Sequence, residues 1–100
     1  MEKTNKIISR KLIVENKLGM HVRPCTTLAK EAFKFESHIT LTKEQTVVSA
    51  KSLMGLLGLE ASYKSEITIT ADGKDAPEAV DAIEKLFENH FGFKDVEKNT

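Results

Sequence analysis

Apolar and polar positions change period along the chain, and each change predicts an element. Ile7 to Glu15 is rich in Ile, Leu and Val and predicts a first strand. Ser9-Arg10-Lys11 interrupts that run, so pairing could begin as late as Arg10 or Lys11. From Val22 to Phe35, apolar residues at 25, 28, 29, 32, 33 and 35 follow helical spacing and predict a helix with one buried face. Ile39 and Leu41 alternate with Thr40 and Thr42, the pattern of a half-buried strand. After the polar break Lys43-Glu44-Gln45, Thr46 to Ala50 predicts a short third strand in a hairpin with the second. Ser52 suits the N-cap of a short helix, Leu53 to Leu59, which Gly55 and Gly58 weaken by roughly 1 kcal/mol each. Glu66 to Ala71 predicts a fourth strand with Ile67 and Ile69 inward, ended by a turn at Asp72-Gly73. Asp75 and Glu78 form a capping-box pattern, and Ala79, Val80, Ile83, Leu86 and Phe87 form the stripe of a last helix before Gly92.

The order strand, helix, strand, strand, helix, strand, helix predicts an α+β two-layer sandwich with a mostly antiparallel sheet. Alternating threonines imply a wet sheet face, so the three helices are expected on the other. One hundred residues fit a single domain, 1–100, with a polar N-terminal extension at 1–6 and a polar tail at 93–100. The formal net charge is zero, which removes the basic footprint of a nucleic-acid binder. The single cysteine, Cys25, excludes an intramolecular disulfide and suits a reducing compartment. No apolar run approaches membrane-spanning length, and the first residues lack a signal-peptide core. These features predict a cytoplasmic monomer with no membrane or nucleic-acid partner.

The candidate chemistry gathers at Asn16 to Cys25. Gly19 permits a turn that a side chain would hinder, and Pro24 suits the first turn of the following helix. His21 therefore falls at a helix N-terminus, with Arg23 two residues on. Unsatisfied amides, the positive end of the helix dipole and a guanidinium converge near one imidazole. That is a place to hold a phosphoryl group, and imidazole is a nucleophile able to carry it covalently. The alternative is a histidine that merely caps a helix. His38 and His90 read as surface residues, and no metal-ligand spacing, P-loop or nucleophile elbow is present, so no cofactor is expected.

Gly19-Met20-His21-Val22-Arg23-Pro24 resembles the active-site motif of the HPr family of phosphocarrier proteins. Lys51-Ser52-Leu53-Met54-Gly55 resembles the regulatory-serine segment of that family, and the element order matches it from about Lys11 to Phe87. The resemblance implies an open-faced β-sandwich, four antiparallel strands covered on one face by three helices. It implies that His21 accepts phosphate from phosphorylated Enzyme I and passes it to a IIA protein or domain, with Arg23 stabilising the phosphate. Ser52 would be the target of a dedicated serine kinase or phosphorylase, or else an ordinary helix cap. Met20, Met54, Gly55, Leu56 and Glu60 would face the partners, with Leu53 and Leu57 turned to the core.

Val22 and Cys25 stand where alanine is common in that family, and Tyr63-Lys64 replaces a usual Lys-Gly turn. Asn16 to Met20, Glu60 and Phe91-Gly92-Phe93 resemble nitrogen-branch carriers, whereas the Ser52 segment resembles sugar-type ones. The expectation leans to a carrier serving a regulatory IIA protein. Two other classes compete. An acylphosphatase-like enzyme would need a backbone phosphate cradle, which is missing, and a binding-only regulator of the same superfamily would lack the histidine.

Overall fold

The computed structural model describes residues 6–92. Of the expected N-terminal extension, 1–6, residues 1–5 lie outside the described residues, as does the expected tail, 93–100, while Lys6 belongs to the first strand. Strands β1 (Lys6–Ile13), β2 (His38–Lys43), β3 (Thr46–Ser49) and β4 (Glu66–Gly73) form one antiparallel sheet in the order β1-β4-β2-β3. Helices α1 (Val22–Ala32), α2 (Leu53–Gly58) and α3 (Ala76–Glu88) cover one face, and a 3-10 turn, His90–Gly92, follows. Leu12, Ile39, Leu41, Ile67 and Ile69 from the sheet meet Leu28, Leu56, Val80 and Ile83 from the helices in the core. No helix among the described residues is long and apolar enough to cross a membrane.

Several element ends differ from the sequence reading, each for a non-local reason. Strand β1 pairs from Lys6, opposite Gly73, one residue before the expected Ile7 and without the later start at Arg10 or Lys11, and it ends at Ile13 rather than Glu15. The polar triplet does not interrupt it, because each polar side chain finds a partner. The Ser9 and Thr70 hydroxyls meet at 3.0 Å, and Arg10 on the inner face bonds Asp81 (2.9 Å) and Glu84 (2.6 Å) of α3. Asp72-Gly73 is strand rather than turn, since Asp72 pairs with Ile7 on one side and His38 on the other. Gly73 is required by close approach: a Cβ there would lie 2.8 Å from the Ser37 Cα.

Helix α1 stops at Ala32, short of the expected Phe35, and Phe33 is left 68% exposed. The chain after it is held by Asp75. That carboxylate accepts from the amides of Glu36 and Ser37, each at 2.9 Å, and from the Ser37 hydroxyl. The expected capping box is therefore not made, as Asp75 gives no side-chain bond to its own helix. The Ser37 hydroxyl, then the Glu36 amide, hold this carboxyl below its ordinary range.

Candidate functional site

The loop between β1 and α1 is bonded along its length to the turn before β4. The Val14 amide donates to Ser65 O (3.0 Å), the Lys64 amide to Val14 O (2.7 Å) and the Met20 amide to Ala61 O (2.9 Å). Within the loop the Gly19 amide donates to Asn16 O at 2.9 Å, closing a turn in which Gly19 has φ +76°. A Cβ at Gly19 would lie 2.8 Å from Ala61 O, so glycine is needed for conformation and for space.

His21 is the N-cap of α1, with extended backbone (φ −97°, ψ −166°), and its carbonyl accepts the first helical bond from the Cys25 amide at 3.1 Å. Its own amide donates to Gly19 O, and Pro24 in the first turn has no N–H to satisfy. As N-cap, His21 sits at the positive end of the α1 dipole, beside the first-turn amides. The imidazole is half-buried and makes no capping bond. Of its two nitrogens Nε2 is the enclosed one, without a hydrogen-bond partner among the described residues. Arg23 is exposed two residues on. Cys25 is buried, its thiol 3.6 Å from Met20 O, and burial pushes the thiol up to about 11. It fills core space beside the site.

Ser52 caps α2, its Oγ accepting from the Gly55 amide at 2.9 Å. Gly55 lets the start of α2 approach β3, since a Cβ there would be 3.2 Å from the Val48 Cβ. Lys43 Nζ donates to Leu59 O (3.1 Å) at the other end of that helix, and Glu60 follows, exposed and left-handed at φ +52°.

The residues expected to face partners separate into two groups. Met54 is 76% exposed, Glu60 is exposed and Gly55 is half-buried. Met20 and Leu56 are corrected to core residues, 8% and 1% exposed. Met20 is drawn in by its amide bond to Ala61 O, and Leu56 lies on the inner face of α2. Leu53 and Leu57 flank Leu56 and are only half-buried. Leu18, Val22 and Tyr63 are also exposed, and Val22 follows His21 directly in the chain. The sequence reading used Asn16 only for family resemblance, although Asn16 is one of the two buried polar residues of the fold among those described. A recess of about 300 Å³ between β1 and α3 is lined by residues including Glu15, Glu84 and His90 and by none of His21, Arg23 or Ser52.

Residues 8–89 match a family model described as "PTS HPr component phosphorylation site". The chain is 41% identical over 85 residues to "Phosphocarrier protein HPr" of Xylella fastidiosa, covering 85% of this chain and 96% of that one. It is 39% identical over 84 residues to "Phosphocarrier protein NPr" of Shewanella violacea, covering 84% and 92%. Among solved structures, an HPr from Thermoanaerobacter tengcongensis superposes with a TM-score of 0.84 at 34% identity, over 87% of this chain and 98% of that one.

Proposed function

The chain belongs to the HPr family of phosphocarriers of the phosphotransferase system, and on that premise we propose that His21 carries the phosphoryl group and Arg23 stabilises it. The observation that carries this reading is the enclosed Nε2 of His21. With that nitrogen covered, Nδ1 is the one to attack phosphorus. The P–N bond to the donor breaks as the bond to Nδ1 forms, and the reverse displacement passes the group on. The first-turn amides and Arg23 meet the phosphoryl oxygens. We assign phosphorylated Enzyme I as donor and a IIA protein as acceptor, docking over exposed Leu18, Val22 and Met54 around the imidazole, in the cytoplasm.

Incubation with Enzyme I and phosphoenolpyruvate tests the assignment. The expected product is an acid-labile, base-stable phosphate that His21→Ala abolishes; a labelled His21→Ala protein overturns it. Arg23→Ala should slow transfer by about tenfold or more, the scale of a lost charge-assisted hydrogen bond. Ser52 suits regulation by phosphorylation, because a phosphoryl group on its Oγ would meet the Gly55 amide that the hydroxyl already accepts.

A second reading concerns the acceptor and is supported by Glu60. Its exposed carboxylate at the end of α2 disfavours acidic docking surfaces and favours basic ones. We therefore assign a regulatory, nitrogen-branch IIA as the preferred acceptor. Phosphorylated protein offered equimolar sugar-type and nitrogen-type acceptors should choose the latter, and Glu60→Gln should weaken the choice. Preference for the sugar-type acceptor, unaltered in Glu60→Gln, refutes both claims.

A further inference from the structure

Among the described residues, three buried side-chain polar atoms have no hydrogen-bond partner: Nδ2 and Oδ1 of Asn16 and Nε2 of His21. All three belong to the one loop that presents the imidazole. Asn16 is 1% exposed. Its carbonyl is committed to the Gly19 amide, and the Gly19 carbonyl accepts from the His21 amide, so a chain of backbone bonds ties the two residues together. Buried polar atoms in folded proteins are almost always satisfied, and a buried carboxamide with neither end paired is destabilising. The polar side chain is therefore explained by what it does for its neighbour.

We propose that Asn16 is a positioning residue for His21: one buried water accepts from Nε2–H and donates to the Asn16 carboxamide oxygen. Three polar atoms are what a single buried water typically satisfies. Neutral imidazole carries one N–H, and the nitrogen that bears it is set by the hydrogen bond it makes. An acceptor on the Nε2 side holds the proton there and leaves the lone pair on Nδ1, the nitrogen assigned above to attack phosphorus. The inference rests on that assignment for its functional meaning and on the buried atoms for its structure.

Imidazole ¹⁵N chemical shifts of the unphosphorylated protein read the tautomer directly, without Enzyme I. The wild type should show the Nε2–H form in excess, with a slowly exchanging Nε2 proton. Asn16→Ala should move the shifts toward those of free neutral histidine, with its smaller excess of Nε2–H, and slow phosphorylation of His21 severalfold, whereas Asn16→Asp, which keeps an acceptor oxygen, should restore the wild-type excess. A merely structural Asn16 would lower the melting temperature and leave the tautomer where it was. A wild type dominated by Nδ1–H, or a tautomer ratio indifferent to both substitutions, overturns the proposal even where His21 is phosphorylated. Failure of His21 to be labelled, with the tautomer responding as expected, would instead strike at the phosphoacceptor assignment and leave the Asn16 contact standing.

Discussion

Replacing Gly19 by alanine tests how the active loop is held. At φ +76° an alanine occupies the left-handed region, at a cost of about 1–2 kcal/mol. Its Cβ would lie 2.8 Å from Ala61 O and 3.1 Å from the Ser62 Cα, both backbone atoms, so no side chain can rotate away. Ala61 O is also the acceptor of the Met20 amide at 2.9 Å. Displacing it weakens that bond, worth about 1 kcal/mol. The sum is a destabilisation of about 2–3 kcal/mol, or about 8–24 °C in melting temperature for a domain of this size. Urea unfolding should show the midpoint falling at unchanged slope, and transfer to His21 should slow because the carbonyl that bonds its amide is Gly19's own. Gly19→Asn separates the two causes. Asparagine tolerates the left-handed conformation yet keeps the Cβ, so it should recover only part of the loss. An unfolding midpoint for Gly19→Ala equal to wild type would refute the claim that contact with Ala61 shapes the loop.

Gly58→Ala should stabilise the fold by about 0.5 kcal/mol in the same assay, because a Cβ there meets nothing within 4 Å. Gly55→Ala should not, since its Cβ would press on the Ser52 Oγ at 3.1 Å. The Cys25 thiol, buried and raised to about 11, should react with iodoacetamide at pH 8 only as fast as the protein opens, and alkylation at the rate of a free thiol would contradict its burial. Asp75 has its carboxyl lowered from 3.8, so its contribution to stability is complete above that value and is lost as pH falls through the folded one. The melting-temperature advantage of wild type over Asp75→Asn should accordingly hold at pH 5–7 and shrink as pH falls below 4; an advantage that stays constant or grows on acidification would contradict the assignment.

Sequence periodicity located the four strands and three α-helices of the described residues, though not the 3-10 turn His90–Gly92, because apolar spacing is a local property. Strand alternation at Ile39 and Leu41, or at Ile67 and Ile69, needs only the pleat to be legible. The His21 segment was legible for the same reason, since glycine, cap and proline act within one turn. The misreadings involve residues whose partners are distant in the chain. Asp75 and Glu78 make a plausible cap, but Ser37 and Glu36 offer the Asp75 carboxylate three donors across the fold. Arg10 looked like a break in a strand because Asp81 and Glu84 lie far along the chain. Asp72-Gly73 has the composition of a turn, and only the presence of strands on both sides keeps it extended.

The exposed side of α2 follows from a geometric constraint. In a helix, residues two apart point about 200° away from each other, so Met54 and Leu56 cannot share a face. Burying Leu56 in the core sends Met54 outward, and the exposures of 1% and 76% follow from that single choice. The choice itself is made by neighbours. Gly55 brings the start of α2 against Val48, and Lys43 holds its far end through Leu59 O. Met20 obeys the same logic, for the bond that ties its amide to Ala61 draws its side chain inward while its neighbours Leu18 and Val22 stay exposed. The surface around His21 is therefore composed of residues that the core has left over, and its identity follows from which apolar positions the sheet has already taken.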